Sequence, residues 1–306
     1  MVKLWGIDLG GTKIEGAILD PDDLSVAQLR LRVPTEAGLG YEKVLESIGE
    51  VVRRLEEESG QKRPAVIGVG TPGVIEPSTS VLKNSNTTCL NGKPLLDDLR
   101  GKLGVDVRMA NDANCFALAE ATLGCARGEE LVMGLILGSG VGGGIVWQGQ
   151  IWNGVHGIAG EWGHNPLLGE SHPCYCGRRG CIETVISGKS LERWFRERTG
   201  EDRKLPEVVT MAEQGHSDAQ ATLDRLREKF GEAIAAVINI LDPSAIVIGG
   251  GVGNLDLLYQ EETRAAILRH TFNKRLDTRL LKPALGDSAG VFGAAMLTSS
   301  SHHADR

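Results

Sequence analysis

The 306-residue sequence predicts an α/β protein built as two lobes. Buried-strand patterns alternate with amphipathic-helix patterns along the chain. Two β-rich beginnings, at Lys3 and at Leu131, each carry a glycine-rich turn joining their first two strands. The forty-one glycines are clustered, which marks backbone that approaches something closely, often a phosphate. One fold used twice in this way predicts ligands in a cleft between the lobes.

Residues 3–8 read as a buried strand ending on an acid, Asp8. Gly10, Gly11, Thr12 and Lys13 follow, and residues 14–20 return as strand. A P-loop or dinucleotide fingerprint would open a helix here, so this glycine turn is a hairpin instead. A third strand at 24–33 precedes an amphipathic helix from Tyr41 to about Glu58, with Val44, Ile48, Val51 and Leu55 on its apolar face. Strand 65–69 runs into the tight loop Gly70-Thr71-Pro72-Gly73. The stretch 84–94 is polar and aperiodic, and Pro94 suits the start of a short helix to Lys102. Strand 105–110 stops at Asn111-Asp112, where Asp112 reads as the N-cap of a helix over 113–124. Strand 131–137 feeds a glycine run at 138–144, and another strand follows at 145–148. The remainder is mainly helical, over 191–198, 206–214, 218–241 and 255–269, with short strands at 245–248 and near Leu280. A last helix covers 289–297, and residues 298–306, with His302 and His303, read as a frayed polar tail. The one Walker-like string, Ser187-Gly188-Lys189-Ser190, has Glu183 where its first glycine is required and is dismissed.

Net charge is 33 − 40 = −7, which disfavours nucleic acid or an anionic membrane as a general partner. The N-terminus lacks signal-peptide organisation and no apolar run reaches transmembrane length, so a cytoplasmic protein is expected. Cys89, Cys115 and Cys125 are scattered and read as ordinary buried thiols.

The other three cysteines, Cys174, Cys176 and Cys181, fall within eight residues, with His164 and His172 upstream and Glu161 and Glu183 flanking. Thiolates this close share one small volume, and with an imidazole they match a tetrahedral zinc site. A disulfide or free structural thiols compete, although Cys174 and Cys176 are too close for an easy bridge. Four protein ligands leave no position for water, so such a metal is structural. Spacing does not choose between His164 and His172. A loop closed by metal would hold Glu161 and Glu183 rigidly; the plain alternative for each is a surface charge or a helix cap.

DLGGTK at 8–13, GTPG at 70–73, NDAN at 111–114, LGSGVGGG at 137–144 and GEWGH…CYCGRRGCIE at 160–183 resemble the ROK family of sugar kinases. The resemblance continues through Gly249–Gly251 to the last helix and covers essentially the whole chain. DLGGTK is shared with actin-like kinases and chaperones, whereas the cysteine string is specific. ROK repressors carry an N-terminal helix-turn-helix; this chain starts on its first strand, so the kinase branch is expected.

The resemblance implies an actin-like, RNase H-type fold. Residues 1–111, completed by the last helix at about 289–306, form one lobe, and residues 112–288, with the zinc-binding loop, form the other. It implies His164 as the zinc ligand beside Cys174, Cys176 and Cys181, with its second ring nitrogen on the sugar. A kinase must deprotonate a hydroxyl whose pKa lies far above neutral, and the resemblance gives that task to Asp112. Asn111, Glu161, His164 and Glu183 are implied to grip the sugar, with Asn86, Gly70 and Thr71 closing the other side. For Mg·ATP the resemblance implies the backbone of Gly10, Gly11 and Thr12 and of Gly138, Ser139 and Gly140. Asp8 would hold magnesium, Lys13 would neighbour a phosphate, and Gly249 and Gly250 would admit the adenosine. A homodimer is expected.

Two branches compete over the substrate. NSNTTCLNGKPL at 84–95 resembles fructokinase and mannokinase members, whereas VMGLILGSGVGGG at 132–144 is similar to N-acetylglucosamine kinases. An N-acetyl group needs an apolar niche for its methyl and a partner for its amide, and Thr87, Thr88 and Asn91 suit hydroxyls better. Phosphorylation of fructose, mannose or glucose at the 6-hydroxyl is therefore expected. N-acetylglucosamine is the alternative, with the glycine-rich stretch 154–160 as room for a C2 group. A catalytically silent sugar-binding protein is the reading of a different class, and Asp8 and Asp112 argue against it.

Overall fold

A computed structural model describes residues 2–299; of the expected polar tail, all but residues 298 and 299 lies outside the described residues. Strands Leu4–Leu9 (β1), Lys13–Asp20 (β2) and Asp23–Pro34 (β3) open the chain and lead into helix Tyr41–Ser59 (α1). Strand Val66–Thr71 (β4), the short pair Val74–Ile75 (β5) and Leu82–Lys83 (β6), helix Leu95–Leu103 (α2), strand Asp106–Asn111 (β7) and helix Asp112–Thr122 (α3) follow. Next come Leu131–Leu137 (β8), Val141–Trp147 (β9) and Gln150–Ile151 (β10). Helices Glu183–Ile186 (α4), Gly188–Thr199 (α5), Leu205–Glu213 (α6) and Ser217–Leu241 (α7) precede strand Ala245–Gly249 (β11). Helices Gly250–Gly253 (α8) and Glu261–Leu268 (α9), strand Arg279–Leu281 (β12) and helix Ala289–Met296 (α10) complete the elements.

Contacts divide the chain into two compact units. One comprises the residues up to Gly128, Gly144–Ala159 and those from Ala284 onward; the other comprises Glu129–Gly143 and Gly160–Pro283. The boundary expected at residue 111 therefore falls later in the chain. The reason is packing, because α3 lies against α10.

The first unit is built on a sheet of order β3-β2-β1-β4-β7, antiparallel through β1, β2 and β3 and parallel through β1, β4 and β7. Val44, Ile48, Val51, Val52 and Leu55 of α1 are fully buried, as their spacing predicts, and Gly60 ends the helix in the left-handed region at φ 67°. Helix α10 approaches β1, β4 and α3 so closely that only glycine is accommodated beneath it. A Cβ on Gly68 would lie 1.7 Å from the Ala294 carbonyl oxygen, and one on Gly293 would lie 1.8 Å from that of Cys115.

The second sheet has the order β10-β9-β8-β11-β12, with β8, β11 and β12 parallel; along β9 the chain passes from one unit to the other. Its buried strands read as continuous apolar runs, as expected for parallel strands covered on both faces. Among the described residues no helix is long and apolar enough to cross a membrane.

Several expected elements differ. The last part of the glycine run belongs to β9, and its glycines are where the strand packs too tightly for a side chain: a Cβ on Gly143 would lie 2.5 Å from the Gly160 carbonyl. The helix expected over 255–269 breaks at extended Gln260, where the 3-10 turn Asp256–Tyr259 ends and α9 begins. The Tyr259 hydroxyl pins that turn by donating to the carbonyls of Ile248 and Gly253. The aperiodic stretch at 84–94 contains one short 3-10 turn, Thr88–Leu90.

Candidate active site

In the first unit, Asp8 stands near the end of β1, opposite Glu15 on β2 and level with Gly70 on β4. Burial, then Asp112 and Glu15 nearby, pushes its carboxyl up to about 6. Glu15 is itself buried and held by Arg30 and Arg32. Gly290 leaves room for Asp8, since a Cβ there would sit 2.7 Å from Asp8 Oδ2.

The turn after β1 is closed by Gly10 N donating to Lys13 O at 3.0 Å. Thr35, fully buried, clasps the turn from β3's end: its hydroxyl donates to Gly10 O at 2.6 Å and its N–H to Thr12 O at 3.0 Å. Gly11, Thr12 and Lys13 remain exposed, so their polar groups can meet a ligand. Thr35 was not singled out from the sequence; it lies far along the chain and is one threonine among many.

Asn111, not Asp112, is the N-cap of α3. Its Oδ1 accepts from Ala113 N at 2.8 Å and Asn114 N at 3.2 Å, while its Nδ2 lies 3.5 Å from Gly73 O. Asp112 is the first helical residue, its Oδ1 accepting from Ala113 N at 2.8 Å. Both residues are cap formers by type, and the backbone turn takes the earlier one. Thr71, in register with Asn111, is buried.

In the 84–94 loop, Asn86 is exposed, but the groups expected to read sugar hydroxyls are differently placed. Asn91 is spent on the loop itself, accepting from Ser85 N and donating to Ser85 O. Thr87 is buried and Thr88 faces solvent. Of these three side chains, Thr87 and Asn91 are thus withdrawn from a ligand, and Thr88 stays available at the surface.

In the second unit, Gly138 N donates to Gly140 O at 2.9 Å, closing the hairpin between β8 and β9 and leaving Ser139 exposed. Gly250, exposed and at φ 84°, abuts Leu137 at the end of β8, just before Gly138–Gly140, while Gly249 is buried beside it. Glu183 opens α4, and its Oε2 accepts from Val141 N at 3.0 Å. A Cβ on Gly140 would stand 2.7 Å from that oxygen, so a larger residue there would displace the Glu183 carboxylate.

The fold brings His164 to the three thiols and leaves His172 exposed outside the cluster. His164 Nδ1 is 3.6 Å from Cys174 Sγ, Cys176 Sγ is 3.6 Å from Cys181 Sγ, and all four donor atoms lie within 4.8 Å of one another. His164 Nε2 faces the Tyr175 hydroxyl at 3.1 Å and a Glu161 oxygen at 3.9 Å. Burial raises the Glu161 carboxyl, opposed by His164 and reinforced by Glu183. Tyr175 was missed in the sequence because it reads there as a spacer between two cysteines.

A family model described as ROK family matches residues 4–301. The chain is 36% identical to the N-acetyl-D-glucosamine kinase of Vibrio cholerae serotype O1, over 96% of this chain and 98% of that one. It is 35% identical, with the same coverage, to the N-acetyl-D-glucosamine kinase of Photobacterium profundum. Among solved structures, the ROK hexokinase from Thermus thermophilus superposes with a TM-score of 0.85 at 33% identity, covering 96% of this chain and 97% of that one. A ROK family glucokinase from Streptomyces griseus, solved with glucose and AMPPNP, gives 0.78 at 27% identity, covering 97% and 99%. Fold and similarity together define an ATP-dependent sugar kinase with the actin-like ATPase fold. The chain belongs to the ROK family.

Proposed function

We propose that this ROK kinase transfers the γ-phosphoryl group of ATP to the 6-hydroxyl of N-acetylglucosamine. The observation that carries this reading is the end-to-end similarity, at 36% identity, to a protein named as an N-acetyl-D-glucosamine kinase. The burial of Thr87 and the engagement of Asn91 within its own loop weaken the case for a neutral hexose. A second reading, glucose or another neutral hexose, is favoured by the 33% identity to a ROK hexokinase.

In this mechanism Asp112 is the general base. It takes the proton from O6 as the bond from O6 to the γ-phosphorus forms and the bond to the bridging oxygen breaks, with ADP leaving. Its place in the first turn of α3 favours a negative charge. Asn111 offers Nδ2, since Oδ1 is used by the cap. Gly70, Thr71, Asn86, Glu161, His164 and Glu183 are the remaining residues we assign to the sugar. Backbone N–H groups of Gly10–Thr12 and Gly138–Gly140 take the phosphates, with Lys13 beside them, and Gly249–Gly250 admit the adenosine. Asp8, a desolvated carboxyl facing other acids, suits a divalent cation, and Mg²⁺ bound there supplies charge neutralisation to the phosphates.

The Cys₃His cluster is proposed as a structural zinc site. Its 3.6 Å separations match the roughly 3.5–3.8 Å edges of a tetrahedron with bonds of about 2.3 Å to sulfur and about 2.0–2.1 Å to nitrogen. Zinc there would stiffen the loop that carries Glu161. The reading is tested by ADP formation with N-acetylglucosamine, glucose, mannose and fructose at saturating Mg·ATP. The highest kcat/KM is expected for N-acetylglucosamine, and a higher value for any of the others overturns the substrate assignment.

A further inference from the structure

Thr35 follows Pro34, the last residue of β3, which is in register with Lys13 on β2. It is fully buried, and a polar side chain is kept in the interior where it is hydrogen-bonded. Both of its donors go to the turn between β1 and β2. The hydroxyl donates to Gly10 O at 2.6 Å and the N–H to Thr12 O at 3.0 Å.

The carbonyl held by the hydroxyl belongs to the peptide between Gly10 and Gly11. Two consecutive glycines leave that peptide plane free to rotate, because neither has a Cβ to restrict its dihedrals. Among the described residues no peptide bond is cis, and in a trans peptide the C=O and N–H point in opposite directions. With Gly10 O held toward buried Thr35, the Gly11 N–H is turned the other way, and Gly11 is exposed. The Gly10 N–H is used on Lys13 O, which narrows the phosphate amides of this turn to those of Gly11 and Thr12. A flipped peptide would present a carbonyl oxygen where an anion needs a donor.

We propose that Thr35 is a positioning residue for Mg·ATP: its hydroxyl holds Gly10 O and so keeps the Gly11 N–H aimed at the phosphates. The inference rests on the assignment of the Gly10–Thr12 turn to phosphate. Being buried, Thr35 acts through the turn and not by touching the nucleotide. A purely structural threonine here would change stability and leave nucleotide affinity alone.

Two substitutions separate the hydroxyl from the bulk. Thr35→Val keeps the bulk and loses the donor, whereas Thr35→Ser keeps the donor and loses the methyl. Titration with Mg·AMPPNP and with adenosine isolates the part of binding that comes from the phosphates. In Thr35→Val the Kd for Mg·AMPPNP is expected to rise roughly tenfold or more, the effect of losing one hydrogen bond to a charged group, while that for adenosine is unchanged. In Thr35→Ser both values stay near wild type, whatever either substitution does to Tm. Wild-type affinity for Mg·AMPPNP in Thr35→Val overturns the proposal. Weakened Mg·AMPPNP binding in folded Thr35→Ser overturns it too, and that arm stands even if the valine variant fails to fold. In ¹⁵N-glycine-labelled wild type the Gly11 amide resonance should shift with Mg·AMPPNP and not with adenosine. No shift overturns the phosphate assignment of the turn and the positioning role with it. A shift combined with unchanged binding in Thr35→Val overturns the positioning role alone.

Discussion

Asp112 and Asn111 stand next to each other and do different work. Asn111 caps α3, so Asp112→Asn leaves the cap in place. We expect that variant to keep its melting temperature and sugar binding while turnover falls at least about a hundredfold. Unchanged turnover, measured with a Tm that shows the fold intact, contradicts the base assignment. Asp8 supplies a pH test. Its folded carboxyl titrates near 6 against an ordinary 3.8, so the folded chain holds the proton more tightly than the unfolded chain. The stability tied to Asp8 is therefore fully present below about pH 4 and is lost as pH rises through about 6. Asp8→Asn, melted in EDTA, should be stabilised relative to wild type at pH 7.5 and not at pH 4. An equal change at both pH values contradicts the burial argument. Which of two adjacent cap formers the backbone would choose was not legible in the sequence, because Asn and Asp cap almost equally well.

At the scale of elements, local patterns carried the reading furthest. The apolar face of α1 and the return of strand after each glycine turn needed only neighbouring residues. The Thr35 clasp and the split at Gln260 depend on partners remote in the chain, and nothing local announces them. The cysteine loop shows both kinds of information. The clustering of its three thiols was legible, whereas its mooring on α7 was not: Glu170 accepts from Arg225 at 2.7 Å and is 3.4 Å from Lys229. Purified protein should carry about one zinc per chain, and Cys176→Ser should lower metal content, Tm and sugar affinity together. A fully active, metal-free preparation contradicts the structural-metal reading. The α10 contact gives a prediction independent of ligands. Gly68→Ala drives a methyl into the Ala294 carbonyl and should cost about 3 kcal/mol or more in denaturant unfolding. A loss under about 1 kcal/mol would show that α10 can retreat.

For the whole molecule, the duplicated plan was legible as a weak repeat, two strand pairs each joined by glycine, and the family strings named the residues proposed for the site. The substrate was not legible, for a physical reason. Loop polarity is visible in a sequence, but side-chain direction is set by packing, which turned Asn91 into its own loop. One competition experiment bears most directly on the account. Equimolar N-acetylglucosamine, glucose, mannose and fructose would share limiting Mg·ATP, and NMR would read the phosphorylated products, whose ratio equals the ratio of kcat/KM. The account predicts that N-acetylglucosamine 6-phosphate dominates. Dominance of a neutral-hexose phosphate, or phosphate at a position other than C6, would contradict it.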